Sequence, residues 1–130
     1  MAKIDHLEMG AKIMALDNIQ VKKGFLGMGS KLIYKPTNSV VKVKEKEYSA
    51  EDGKRLETIL ATEPEHMEEA ISKNPVSPKE IGNMKLEACI SDDHQFVAAQ
   101  LLGFKDFDYI PLTEVHIYEG KTAEAFAQLF

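Results

Sequence analysis

Hydrophobic positions recur along the chain with two periods, and the changes between them mark five stretches. Ile4, Leu7, Ala11 and Met14 fall at spacings of three and four, which predicts a short amphipathic helix opened by Asp5 and ended by Asp17-Asn18. Gly10 interrupts it at a cost of about 1 kcal/mol against alanine, and a strand starting near Lys12 is the alternative. From Ile19 to Lys46 the period shortens to two. Lys31-Leu-Ile-Tyr-Lys35 and Val40-Val-Lys-Val-Lys44 flank Pro36-Thr-Asn-Ser39, predicting a hairpin with a four-residue loop. On its second strand Val41 and Val43 take one face, and Lys42, Lys44 and Lys46 the other.

The middle of the chain reads as helical, with caps at each boundary. Ser49-Ala-Glu-Asp52 predicts an N-cap with acids in the first turn, followed by the apolar stripe Leu56, Ile59, Leu60. Thr62-Glu-Pro-Glu65 has capping-box spacing ahead of Met67, Ala70 and Ile71, and Asn74-Pro75 ends that helix. Ser77-Pro-Lys-Glu80 predicts a third helix through Ile81, Met84 and Ala88. Ser91-Asp-Asp93 predicts a fourth, holding Phe96, Val97, Leu101 and Leu102 and stopped by Gly103. After Gly103 the β pattern returns. Thr113, Val115 and Ile117 alternate with Glu114, His116 and Tyr118, as in a half-buried strand. Lys121 to Phe130 places Ala123, Phe126, Ala127 and Phe130 on one face of a terminal helix. The expected fold is α+β: a small antiparallel sheet built on the 31–46 hairpin, packed by three to four short helices, with a C-terminal strand and helix. Residues 1–130 are expected to form a single globular domain.

Composition narrows the functional classes. The 130 residues are 44% hydrophobic and 28% charged, close to globular averages and away from whole-chain disorder. No apolar run approaches the ~18 residues of a membrane helix, and the N-terminal residues carry acid early with no signal-type stretch after them. Cys89 is the only cysteine, which excludes an internal disulfide and a cysteine-rich zinc site. A cytoplasmic protein, or one in a particle assembled there, is expected. The net charge of −5 conceals a split. Residues 1–48 hold nine lysines against five acids, while residues 49–130 hold seven bases against sixteen acids. Such segregation orients a chain against a partner of opposite sign, including a copy of itself. Arg55 is the sole arginine, so guanidinium forks for reading bases or clamping phosphate are nearly absent.

Several segments carry candidate chemistry. Gly24-Phe-Leu-Gly-Met-Gly-Ser-Lys31 has two glycines at phosphate-loop separation, but Ser30-Lys31 reverses the required order, and a strand follows where a helix is needed. A glycine-rich turn or bulge feeding the hairpin is the favoured reading. Lys22, Lys23, Lys31, Lys35, Lys42, Lys44 and Lys46 form a cationic stripe suited to a solvated face, an acidic protein partner or a phosphate backbone. The segment opening at Ser77 and Ser91 has helix-turn-helix spacing, yet its reading helix would present Asp92 and Asp93 to phosphate. The histidines His6, His66, His94 and His116 show no metal-binding spacing. Glu114, His116 and Tyr118 are the best acid–base cluster, and Cys89 reads as a buried thiol on a helix.

No catalytic residue, cofactor or metal is expected. The leading expectation is a non-enzymatic interaction or assembly subunit, an adaptor or structural component of a larger particle such as a phage. The lysine hairpin (Lys31, Lys35, Lys42, Lys44, Lys46) would meet an acidic surface such as Glu63, Glu65, Glu68 and Glu69 of a neighbouring protein subunit, in a homo-oligomer or larger assembly. The alternatives are a small phosphate- or nucleotide-binding enzyme using Gly24–Lys31 with Glu114 and His116, and a nucleic-acid-binding accessory protein using the same lysines.

Overall fold

The computed structural model of the protein describes residues 8–22 and 31–130. In chain order the elements are α1 (Glu8–Met14), β1 (Ile19–Lys22), β2 (Lys31–Tyr34), β3 (Ser39–Tyr48), α2 (Ala50–Leu60), a 3-10 turn (Pro64–His66), α3 (Met67–Lys73), β4 (Met84–Ser91), β5 (Phe96–Lys105), β6 (Asp108–Pro111), β7 (His116–Glu119) and α4 (Lys121–Ala127). All seven strands join one antiparallel sheet in the order β1-β2-β3-β4-β5-β6. Strands β6 and β7 lie end to end along one edge of β5, pairing with Leu102–Lys105 and with Phe96–Ala99. The fold is α+β. No described helix is long and apolar enough to cross a membrane.

Successive strand residues point to opposite faces, and here both faces of the centre are covered. Leu86, Ala88 and Ile90 of β4 and Val97, Ala99 and Leu101 of β5 join a core with Leu56, Ile59, Met67, Ala70 and Phe126 from α2, α3 and α4. Their sequence neighbours Cys89, Phe96 and Ala98 join a second core with Met9 and Ile13 of α1 and with Ile19, Leu32, Tyr34 and Val41. Among the described residues the sheet therefore separates a three-helix face from a one-helix face.

This arrangement corrects the two helices expected from Ser77 and Ser91, since Met84–Ser91 and Phe96–Lys105 are the central strands. A strand buried on both faces loses the alternation that would reveal it, and reads as a continuous apolar run. The capping residues serve other ends. Ser91 Oγ accepts from the N–H groups of Gln95 (3.1 Å) and Phe96 (3.0 Å), and donates to Asp93 (2.7 Å). It closes the β4–β5 turn, where His94 takes a positive φ of 61°. Short polar side chains satisfy turn donors as readily as helix donors. Around Ser77 the chain is not helical. Its N–H donates to Asp52 Oδ2 (3.1 Å) and the Lys79 N–H donates to the Glu47 carbonyl (2.8 Å).

Two predicted helix boundaries hold, at Ser49 and at Asn74. Ser49 caps α2 by accepting from the Asp52 N–H at 3.2 Å, and Asn74 ends α3 by donating to the Ala70 carbonyl at 2.8 Å. Thr62-Glu-Pro-Glu65 leads through the 3-10 turn into α3 without a side-chain cap. The hairpin strands are β2 and β3, with Leu32 opposite Val41 and Tyr34 opposite Ser39.

Asp52 ties the helical layer to the 75–79 segment. It is buried, accepts from Ser77 and pairs with Arg55. The Ser77 N–H, and then the Arg55 guanidinium, outweigh its desolvation and hold the carboxyl below the ordinary aspartate value. Because the folded-state value is the lower one, this stabilisation is complete above the unfolded pKa of ~3.9 and is lost as pH falls below it to and through the folded-state value. Asp52→Asn is expected to cost about 1–3 kcal/mol at neutral pH. The deficit should narrow as pH drops below ~4, read from urea midpoints across a pH series. A Cβ on Gly82 would sit 2.3 Å from the Tyr48 carbonyl oxygen, whereas one on Gly53 would meet only the flexible Met84 side chain. Gly82→Ala is expected to destabilise by about 1–3 kcal/mol, and by more than Gly53→Ala, in the same urea assay.

Candidate functional site

Strand register decides where the lysines go. Lys22 lies opposite Lys31, Ile33 opposite Val40, and Lys42, Lys44 and Lys46 opposite Ile90, Ala88 and Leu86. Lys22, Lys31, Lys42, Lys44 and Lys46 therefore share one sheet face, the face that carries α2, α3 and α4 over its other half. Lys22, Lys31, Lys42 and Lys44 are exposed and Lys46 is half-buried. Lys35 is exposed in the β2–β3 turn. Like charges placed directly opposite, as at Lys22 and Lys31, oppose strand pairing. Among the described residues, one ion pair relieves this row: Lys42 Nζ to Asp92 Oδ1 at 3.3 Å.

The acidic residues cluster on the helical half of that same face. Glu63, Glu65, Glu68 and Glu69 are all exposed, on the approach to α3 and along its first turn. Glu69 pairs with Lys73, whose ammonium holds the Glu69 carboxyl below the ordinary range. A shallow groove of about 250 Å³ runs between the 3-10 turn, α3 and α4, lined by Pro64, Glu65, Met67, Glu68, Lys121 and Thr122. The sequence split between basic and acidic halves thus becomes a cationic sheet shelf beside an acidic helical shoulder.

The catalytic candidates do not converge. Glu114 lies outside β7, and Tyr118 is buried in the helical core with its hydroxyl donating to the Leu60 carbonyl at 3.4 Å. His116 and Tyr118 turn toward the helices while Ile117 is exposed, the reverse of the expected polar outer face. Cys89 is buried as expected, but on a strand, and burial pushes its thiol up to about 12. Gly24–Ser30 lies outside the described residues. Among the described residues no group of three or more His, Cys, Asp or Glu side chains could hold a metal ion.

Two features escaped the sequence pattern. On the one-helix face, Lys85 lies among Glu45 (3.6 Å), Glu87 (3.3 Å) and the Tyr109 ring (4.2 Å to its centre). Tyr109 donates to Glu47 at 3.1 Å, and Gln100 to the Thr113 carbonyl at 3.0 Å. Burial disfavours the Lys85 ammonium, but Glu45 and Glu87 outweigh it and hold its pKa above the ordinary value. Every member of this network has a partner, so it stands as a structural clamp across β3, β4 and β6. Its residues occupy alternate positions on strands, a pattern hidden while β4 read as a helix. The second feature is the exposed apolar surface of the β5–β6 end, including Phe104, Phe107 and Ile110.

No family model, curated protein or solved structure matches the chain.

Lys85→Met leaves the buried Glu87 carboxylate without its cation and is expected to cost about 3–5 kcal/mol. Lys85→Met with Glu87→Leu removes both charges and is expected to recover most of that loss, measured by denaturant unfolding.

Proposed function

We propose that the protein is a non-enzymatic assembly subunit that docks through its lysine row onto the acidic helical shoulder of a neighbouring protein subunit, a second copy being the partner its own charges fit. The observation that carries this reading is the collection of Lys22, Lys31, Lys42, Lys44 and Lys46 on one open sheet face. Cross-strand repulsion at Lys22 and Lys31 works against the isolated fold, and acidic groups from a partner would relieve it. Row and shoulder lie on the same side of the sheet, so two copies related by a two-fold axis can each set a shoulder on the other's row. Charge then fixes register and speeds encounter, and apolar contacts around the α3–α4 groove add affinity.

Lys42→Glu, Lys44→Glu and Lys46→Glu combined should weaken self-association at low salt by at least tenfold. Mixing that variant with one carrying Glu63→Lys, Glu65→Lys, Glu68→Lys and Glu69→Lys should restore a mixed complex. Unchanged association in the first variant contradicts the reading. The same lysine row suits a phosphate backbone. Duplex DNA binding that falls steeply with salt while the protein remains a single chain would favour the nucleic-acid accessory role instead.

A further inference from the structure

The end of the sheet formed by β5 and β6 carries apolar surface far from the lysine row's chemistry. In the turn between these strands Asp106 and Phe107 take φ values of 52° and 65°. Left-handed backbone suits glycine or asparagine and is unusual for an aromatic residue. Phe107 is also 97% exposed, so it gains neither packing nor backbone ease within its own chain. Beside it lies an apolar groove of about 290 Å³, lined by Met84, Gly103, Phe104, Ile110 and Leu112. Ile81, 89% exposed, stands on the segment leading into β4. Strain and exposure combined at one residue point to a role outside the isolated chain.

We infer that this end is a self-complementary docking surface, occupied by the same end of a second copy, with Phe107 of each chain entering the groove of the other. Projection and groove lie at one end of the sheet, so a two-fold axis beside the turn satisfies both contacts at once. The charges around the turn fit the same arrangement. Lys105 precedes it, Asp106 and Asp108 flank Phe107, and among the described residues none of the three has an ion-pair partner. The two-fold axis brings Lys105 of one copy to the aspartates of the other. Burying two phenylalanine rings, at about 150–250 Å² each, with the groove walls they cover and Ile81 brings the contact near the ~1,000 Å² of a specific interface.

This surface is independent of the lysine row, and the test keeps the two apart. The full chain carrying Lys42→Glu, Lys44→Glu and Lys46→Glu is examined by analytical ultracentrifugation in salt of about 0.5 M, where exposed charges are screened within a few ångströms. A species of two chains is expected as concentration rises. Adding Phe107→Asn, which keeps a residue suited to the turn, should weaken that association at least tenfold and leave the melting temperature equal or higher. A parent that stays a single chain at about 1 mM, corresponding to a contact weaker than ~4 kcal/mol, overturns the inference. So does a Phe107→Asn variant that associates as well as its parent. Phe107-dependent adsorption of a single-chain parent to phosphatidylcholine vesicles also overturns it, and assigns the turn to a lipid surface.

Discussion

The structure depends on a pair of adjacent strands buried from both sides. In β4 and β5 every side chain from Leu86 to Ser91 and from Phe96 to Leu102 is buried, so parity alone assigns each to one of the two covered faces. A slip of one residue would exchange Leu86, Ala88 and Ile90 for Lys85, Glu87 and Cys89 on the helical face. That would place two charges beneath α2, α3 and α4, where an unpaired ion costs several kcal/mol. Register is thereby fixed at the centre, and β3, β6 and β7 inherit it through their own ladders. Lys85 and Glu87 hold the same register from the other side, since they pair with each other and with Glu45 and Tyr109 only in this alignment.

Apart from the paired Lys85 and Glu87 of β4, the charge of the sheet stands at its margins. Strand β3 continues the helical face outward past the helices, and its even-numbered residues Lys42, Lys44 and Lys46 emerge as a row. The helices carry the compensating acids to the same side. The opposite margin, at the β5–β6 turn, keeps apolar groups in the open, including Phe107.

Much of this was legible from sequence where one face is wet. The 31–46 hairpin, the Ser49 cap, the stop at Asn74 and the C-terminal helix all follow from alternation or caps, because in each the polar side faces solvent. The lysine row was legible for the same reason. Legibility failed where both faces are buried. Met84–Ser91 and Phe96–Lys105 are rich in Ala, Leu, Met, Glu and Gln, good helix formers, and follow serine–acid pairs that resemble caps. Burial on both faces overrode that propensity, and Ser91 capped a turn instead of a helix. The same error hid the Lys85 clamp, whose members are one network only once β3, β4 and β6 are side by side. It also reversed β7, where Tyr118 rather than Ile117 is buried. Phe107 falls where the β pattern returns after Gly103, and nothing in its local pattern signals a left-handed turn.

The proposal of charge-registered assembly is tested most directly by the solution mass of the unmodified chain. Light scattering at low and at high salt, each at two protein concentrations, is the measurement. Electrostatic docking of the lysine row on an acidic shoulder predicts a mass above one chain at low salt that falls as salt rises. A mass that does not change with salt, whether of one chain or of several, would contradict it.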